Sequence, residues 1–467
     1  MTVVCTGKWF DFIRKGWVNR VSNFIDRPRY ACALGGAIAA LRAIPRAIPI
    51  IHASAGCGQN LHVAINAGGG YLGGGYCGGN ALPSSNIVER DIVFGGEDRL
   101  REQIQTTLEV MDGDLYVVLT GCMVEMIGDD INSVVSEFAD AEKPVIAVPT
   151  PSFRGNSYKG YDFLLNGLIK KYVAKRKDKA ANKVNIFGIV PAQDVFWQGN
   201  LKEIKRLLNR LGLEVNTFFG EGETLDDIRD AGGASLNIVI SEIYGVQPAQ
   251  LFEEVHGIPY ITTELPIGAH ATEDFLRKVS ARLSIDKNVV DNVIKSEKAL
   301  YYSYIERLAD IYNDIDMQRY AIVVGDCNYA PALTKFLSDE LGWLPELTVI
   351  TDIPEDEKLM DKIEAGLGNM KSGLKANVRF DAHTSSVKKY LADVWERNRN
   401  GRYYDSMTPT VVVGSAFERD LAAEFNYPLV TVSHPVTNRV VLNATVAGIN
   451  GGLRLTEDVL SVLVIGR

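Results

Sequence analysis

The stretch L-Y-V-V-L-T-G-C-M-V-E-M-I-G-D-D, residues 115–130, joins a run of apolar and β-branched residues to a glycine, a cysteine and a helical pattern. Six residues with almost no polar alternation predict a strand buried on both faces, as parallel strands are. Open α/β folds bind ligands just beyond the carboxyl ends of such strands. Cys122 therefore stands where a ligand would sit, and the start of a helix there favours its thiolate.

The neighbouring segments extend the same pattern. A-I-P-I-I-H (47–52) and P-V-I-A-V-P (144–149) read as parallel partners, and R-L-R-E-Q-I-Q-T-T-L-E-V-M (99–111) places apolar residues at helical spacing between them. A second unit follows the basic, loop-like K-K-Y-V-A-K-R-K-D-K-A-A-N-K (170–183). It runs V-N-I-F-G-I-V, an amphipathic N-L-K-E-I-K-R-L-L-N-R-L-G ended by Gly212, then L-E-V-N-T-F-F, L-N-I-V-I-S and I-P-Y-I-T-T. From about Thr272 to Asp316 the pattern is helical with no strand signal. A third unit holds R-Y-A-I-V-V-G-D, P-A-L-T-K-F-L-S-D-E-L-G, L-P-E-L-T-V-I-T, T-P-T-V-V-V-G-S and P-L-V-T-V-S-H. The expected fold class is α/β, with three tandem Rossmann-like domains on parallel sheets. The expected boundaries are 1–178, 179–285 and 286–467, the last with a helical lead-in.

Composition narrows the function. A net charge of −9 over 467 residues argues against a nucleic-acid partner, which usually meets a basic face. No apolar run approaches the ~20 residues that span a bilayer. The opening M-T-V-V-C-T-G-K-W-F-D-F-I-R-K has its basic residues after its apolar ones, the reverse of a secretory signal. The six cysteines are far apart, so a disulfide framework is not expected and a reducing, cytoplasmic setting is. The run A-G-G-G-Y-L-G-G-G-Y-C-G-G-N (67–80) suggests a phosphate cradle at first sight. It lacks the lysine and hydroxyl of a P-loop, and it does not lie between a strand and a helix.

Three cysteines share a setting. Cys122 follows a strand, Cys57 follows another in I-P-I-I-H-A-S-A-G-C-G, and Cys32 opens the small-residue helix of R-P-R-Y-A-C-A-L-G-G-A. Each read alone is as a rule a buried apolar thiol. Together, with Gly56, Gly58 and Gly121 beside them, they are candidate thiolate ligands with room for a bulky inorganic group, although spacing alone names no cluster. Zinc is poorly supported, because no C-x-x-C pair or matching histidine spacing is present. Three ligands are too few for most closed sites, a shortage that a site shared between subunits resolves.

The same segments resemble the β subunit of the nitrogenase component-1 family. R-P-R-Y-A-C-A-L-G-G-A-I-A-A-L, I-I-H-A-S-A-G-C-G and T-G-C-M-V-E-M-I-G-D-D-I resemble its three cysteine motifs in order. D-I-V-F-G-G-E-D-R-L, T-P-S-F-R-G-N-S-Y-K-G-Y-D and E-L-P-I-G-A-H-A-T-E-D-F-L-R-K-V are further family landmarks. The resemblance implies that Cys32, Cys57 and Cys122 ligate an [8Fe-7S] P-cluster shared with a homologous α subunit, at the inter-subunit face of the first domain. It implies that Ser152 is an oxidation-dependent ligand; the alternative is a hydroxyl capping a turn. It implies an α2β2 heterotetramer served by an ATP-hydrolysing homodimeric [4Fe-4S] reductase, with the catalytic cofactor held in the α subunit. The counterpart of the cofactor-binding cysteine segment here, S-L-N-I-V-I-S-E-I-Y-G (235–245), has no cysteine, so His434 reads as a structural or supporting histidine. No residue of this chain is expected to be catalytic.

Departures from the family bear on the reaction. After the second cysteine, nitrogenase β subunits carry an aromatic and an arginine and then an aromatic- and His-containing segment. This chain has G-Q-N-L-H-V-A-I-N (58–66), the glycine run and a longer path to Cys122. The N-terminal extension of the molybdenum-type subunit is also missing. These features resemble a nitrogenase-like methylthio-alkane reductase, which cleaves carbon–sulfur bonds of small thioethers. The alternatives are a nitrogenase β subunit that reduces dinitrogen, a cofactor-maturation scaffold, and a metal-free binder of small ligands. The dark-operating protochlorophyllide and chlorophyllide reductases are a further comparison; the full cysteine triplet points away from at least the first of them. His62 reads as either a donor to cluster sulfur or an ordinary helix histidine. Cys77 reads as an inert thiol or an extra residue near the cluster, and Cys5 and Cys327 as structural.

Overall fold

The computed structural model describes residues 27–70, 82–314, 316–399 and 410–465. Three parallel sheets follow one another along the chain. The first holds β1 (Ala47–His52), β2 (Leu115–Thr120) and β3 (Val145–Val148), in the order β1-β2-β3. The second holds β4 (Lys183–Phe187), β5 (Glu214–Asn216), β6 (Leu236–Val239) and β7 (Tyr260–Thr262), in the order β5-β4-β6-β7. The third holds β8 (Tyr320–Gly325), β9 (Leu344–Ile350), β10 (Val378–Phe380), β11 (Thr410–Gly414) and β12 (Leu429–Thr431), in the order β10-β9-β8-β11-β12. Every strand pair is parallel. The sheets reproduce the α/β reading, because fully buried strands such as β2 and β11 need helices over both faces. The three-residue strand β10 carries too few apolar residues to be legible in the sequence, and only its partner β9 marks it.

The helices that position the site are α1 (Ala33–Arg42), α2 (Ala55–Ala67), α3 (Glu89–Phe94), α4 (Glu97–Val110), α5 (Cys122–Ile127) and α6 (Ser157–Lys171). Residues 33–41 of α1 are all buried, so this helix is core on every side. Its glycines allow that. A Cβ on Gly36 would lie 1.8 Å from the Ser157 carbonyl oxygen, and one on Gly160 of α6 would lie 2.0 Å from the Ala33 carbonyl oxygen. Backbone therefore meets backbone where α1 crosses α6.

Beyond the first sheet lie α7 (Trp197–Asn209), α8 (Gly268–Leu283), α9 (Lys287–Ile305) and α10 (Tyr329–Asp339). The helical stretch expected from Thr272 to Asp316 is α8, α9 and a short helix at Ala309–Asp314. The last helix, α11 (Gly448–Ile465), returns to pack on α7, α8 and α9. Buried residues of all three sheets join one continuous apolar core. No helix among the described residues is long and apolar enough to cross a membrane.

Candidate thiol site on the first domain

All three predicted thiols sit at helix N-termini. Cys32 is the residue capping α1, Cys57 is the third residue of α2, and Cys122 is the first of α5. Unpaired N–H groups and the helix dipole make these positions favourable for negative charge. Each cysteine is free and half-buried. The Cys32 thiol is pushed up mainly by burial, opposed by the Gly35 and Leu34 N–H groups and reinforced by the charges of Cys122 and Cys57. Cys32 thus feels both other sulfurs. Among the described residues, no group of three or more His, Cys, Asp or Glu converges on a point where one metal ion would fit.

Hydroxyls accompany two of the thiols. The Ser54 hydroxyl lies 3.3 Å from the Cys57 sulfur, and the Ser152 hydroxyl lies 2.5 Å from the Cys122 sulfur. The Ser152 N–H also donates to the Cys122 sulfur at 3.2 Å. Ser152 is held there by a short 3-10 turn, residues 152–154, that follows β3 and leads into α6. Ser54 is a residue that the sequence reading passed over. Its signal was present, in S-A-G-C at the mouth of a helix.

The backbone around the sulfurs leaves space on one side. A Cβ on Gly56 would meet only the Asn60 side chain, at 3.8 Å, whereas one on Gly121 would strike the Ala53 side chain at 2.6 Å. Gly121 thus lets the loops after β1 and β2 pack together, and Gly56 keeps its surroundings open. Beneath them, buried His52 lies between the Ser85 hydroxyl (2.9 Å) and Asp129 (3.1 Å), and Asp129 accepts the Gly96 N–H. Burial lowers the His52 pKa despite Asp129. This pair ties the ends of β1 and α5 together, and the sequence reading missed it because its members are 77 residues apart.

The rim is apolar and uncovered. Val93 and Phe94 on α3 are 73% and 80% exposed, Met126 on α5 is 77% exposed, and Phe153 beside Ser152 is 62% exposed. Large apolar side chains displayed together mark a surface that meets a partner.

The remaining predicted residues lie elsewhere. His434 packs against the end of α2, with Nε2 3.4 Å from the Ile65 carbonyl oxygen and a bond to the Arg29 backbone; burial lowers its pKa to about 4. Ser241 donates to Asn328 at 2.6 Å and accepts the N–H groups of Ile243 and Tyr244. Cys327 is buried, its thiol donating to the Asp352 carbonyl oxygen at 3.0 Å. His62 lies on α2. Cys5, Cys77 and residues 71–80 of the glycine run lie outside the described residues. A cavity of about 470 Å³ lies away from the thiols, between β7, α8 and α10, with Glu264 paired to Lys335 in its wall.

Known proteins place this arrangement. The model of the "Nitrogenase component 1 type Oxidoreductase" family matches residues 32–464. The chain is 25% identical to the nitrogenase molybdenum-iron protein beta chain of Azotobacter vinelandii, over 93% of this chain and 84% of that one. It is 24% identical to the same subunit of Clostridium pasteurianum, over 94% and 93%. It is 23% identical to the nitrogenase iron-iron protein beta chain of Rhodobacter capsulatus, over 93% of each. The solved structure "Nitrogenase Cp1 at pH 6.5" has the same fold, with a TM-score of 0.73 and 22% identity over 94% of this chain and 93% of that one. The chain belongs to the nitrogenase component 1 type oxidoreductase family, as a relative of its β chains.

Proposed function

We propose that this chain is the electron-relay half of a nitrogenase-like reductase, holding an [8Fe-7S] cluster through Cys32, Cys57 and Cys122 jointly with an α-type subunit. The observation that carries the reading is the set of three half-buried thiols, from three helix N-termini, under an exposed apolar rim. The donor set fits such a group. Thiolates are the ligands iron–sulfur clusters take, and the open side at Gly56 spares a volume that a side chain would fill.

When bound, the cluster supplies one-electron transfer. The chain's own residues do the rest. The helix N-termini would favour bound thiolates, and Ser152, whose hydroxyl meets the Cys122 sulfur, is the residue that would serve as an oxidation-dependent ligand. The apolar rim of Phe94, Met126 and Phe153 excludes water once the second subunit covers it. The separate reductase supplies the electrons and the ATP chemistry. Ser241 and His434 are each committed to structural bonds, which supports locating the catalytic cofactor in the α subunit.

The substrate we assign is a small methyl thioether cleaved at its carbon–sulfur bond, supported by the glycine run in place of the family's aromatic and arginine segment. The second reading, dinitrogen reduction, is favoured by the β chains this sequence matches. The test is turnover by the complete complex with its reductase, offered dinitrogen and a methyl thioether in parallel. Thiol release without ammonia supports the assignment, and ammonia formation at comparable rates overturns it. Cluster iron without turnover of either points to a maturation scaffold. A complex lacking about eight irons per αβ pair beyond the catalytic cofactor sinks the relay reading itself.

A further inference from the structure

The segment that delivers Cys32 is fastened to the third domain before it enters the first. Arg29 is only 5% exposed and lies at the carboxyl end of β11. Its guanidinium donates to the Ser415 hydroxyl at 2.7 Å and to the Glu418 carboxylate at 2.5 and 3.4 Å, and it lies over the Phe417 ring at 5.4 Å. A longer contact of 3.4 Å reaches Thr384. Glu418 is completely buried and also accepts the Ser415 N–H and hydroxyl, each at 2.8 Å. The next residue, Tyr30, donates to the Thr351 hydroxyl at 2.9 Å, just beyond β9.

The strand order β10-β9-β8-β11-β12 reverses direction between β8 and β11, and open sheets of this kind take their ligands beside that point. Here the chain's own Arg29 fills the end of β11. Two residues later the strap enters the first domain. The Ala31 carbonyl accepts the Ser157 N–H at 2.8 Å, Cys32 bridges Asn156, and α1 begins. Cys57 is reached differently: it lies in the first turn of α2, whose far end meets His434 and Val436 of the third domain, and Cys122 directly follows a strand of the first sheet.

We propose that Arg29, through its buried pair with Glu418, is a positioning residue for Cys32, coupling the carboxyl end of β11 to this cluster thiol three residues further along the chain; the assignment rests on the cluster reading above. Release of the Arg29 strap then moves Cys32 relative to Cys57 and Cys122. Removing one partner alone strands a buried charge, so the clean variant removes both.

The test compares wild type, Arg29→Lys and the paired Arg29→Met/Glu418→Met, each made with the α-type subunit. Cooperative thermal unfolding is checked first. In cluster-free protein, alkylation of each cysteine is followed by mass spectrometry; in the loaded complex, the midpoint potential and paramagnetic resonance spectrum of the cluster are read. We expect the paired variant to unfold cooperatively, to alkylate several-fold faster at Cys32 with Cys57 and Cys122 unchanged, and to show a shifted potential. Arg29→Lys, which keeps the charge and loses the fork, falls between. Equal acceleration at all three thiols, or none at any, overturns the proposal. If the paired variant does not fold, the same comparison is made on Arg29→Lys. Iron-free wild-type complex would refute the cluster reading while leaving the alkylation comparison intact.

Discussion

Cys122 and Cys327 occupy matching places in two copies of one architecture. Each lies two residues beyond the central strand of its sheet, β2 or β8. Their surroundings differ completely. Cys122 is half-buried, faces the Ser152 hydroxyl and lies in the electrostatic reach of Cys32. Cys327 is buried with its thiol on the Asp352 carbonyl and its N–H on the Asp352 carboxylate at 2.7 Å; burial and the nearby Asp326 carboxylate push its pKa far up. A strand end supplies a place for a ligand, and exposure and unspent donors decide whether the place is used. In the third domain Asp326, next to Cys327, is fully engaged, in part by α6 of the first domain. Tyr158 donates to Asp326 at 2.9 Å, and Asp326 accepts the Asn328 and Tyr329 N–H groups.

The largest expected effect breaks this pair of cysteines apart. Cys122→Ala should abolish cluster iron and electron transfer in the assembled complex, with unfolding changed by no more than about 1 kcal/mol. Cys327→Ala should do the reverse, retaining iron and activity while losing about 1 kcal/mol of packing. Iron analysis and calorimetry on both variants read the contrast, and equal iron in the two would remove the basis for treating the sites differently.

Next in size is the crossing that sets Cys32 beside Ser152. Gly36→Ala drives a methyl group into the Ser157 carbonyl, which α1 can relieve only by moving away from α6. A loss of about 3 kcal/mol or failure to fold is expected, measured by denaturant unfolding. Wild-type stability would show that the helices separate freely.

The sealed strand ends predict a pH dependence. Burial raises the carboxyls of Asp352, Asp162 and Asp194 to about 8, 7 and 6. The folded chain then keeps protons that the unfolded chain releases near pH 4, so this stability is full below about pH 4, falls as pH rises from there, and is gone above the folded values of 6 to 8. Asp352→Asn should flatten this slope, gaining roughly 1–3 kcal/mol over wild type at pH 8.5 and little at pH 5. Parallel melting curves at the two pH values decide it.

The smallest effect on this chain alone belongs to the open rim. Phe94→Ser, at a position 80% exposed, should leave unfolding within about 0.5 kcal/mol of wild type. It should weaken assembly with a partner about tenfold, read by titration of the partner. Unchanged affinity would leave the rim without an assigned contact.

Much of this was legible from residue order. Unbroken β-branched runs announce buried parallel strands; glycine next to cysteine beyond those runs marked Cys57 and Cys122, and the small-residue helix that follows marked Cys32. The His52–Asp129 pair, the Ser54 contact and the Arg29 strap were not legible in the same way. Arg29 and Glu418 are 389 residues apart, and nothing in R-P-R-Y or S-A-F-E says that one will be buried against the other. The glycine run of residues 67–80 was informative in a different sense, marking a departure from the family without disclosing its own shape.

Sequence alone therefore determined the family and the three-sheet plan and singled out three thiols at helix starts, because strand burial and helix starts are local in their causes. Tertiary structure decided which cysteines stay available. Cys122 and Cys327 follow equally apolar strands, and only the chain packed beyond each strand end leaves one sulfur open beside Ser152 and closes the other against Asp352.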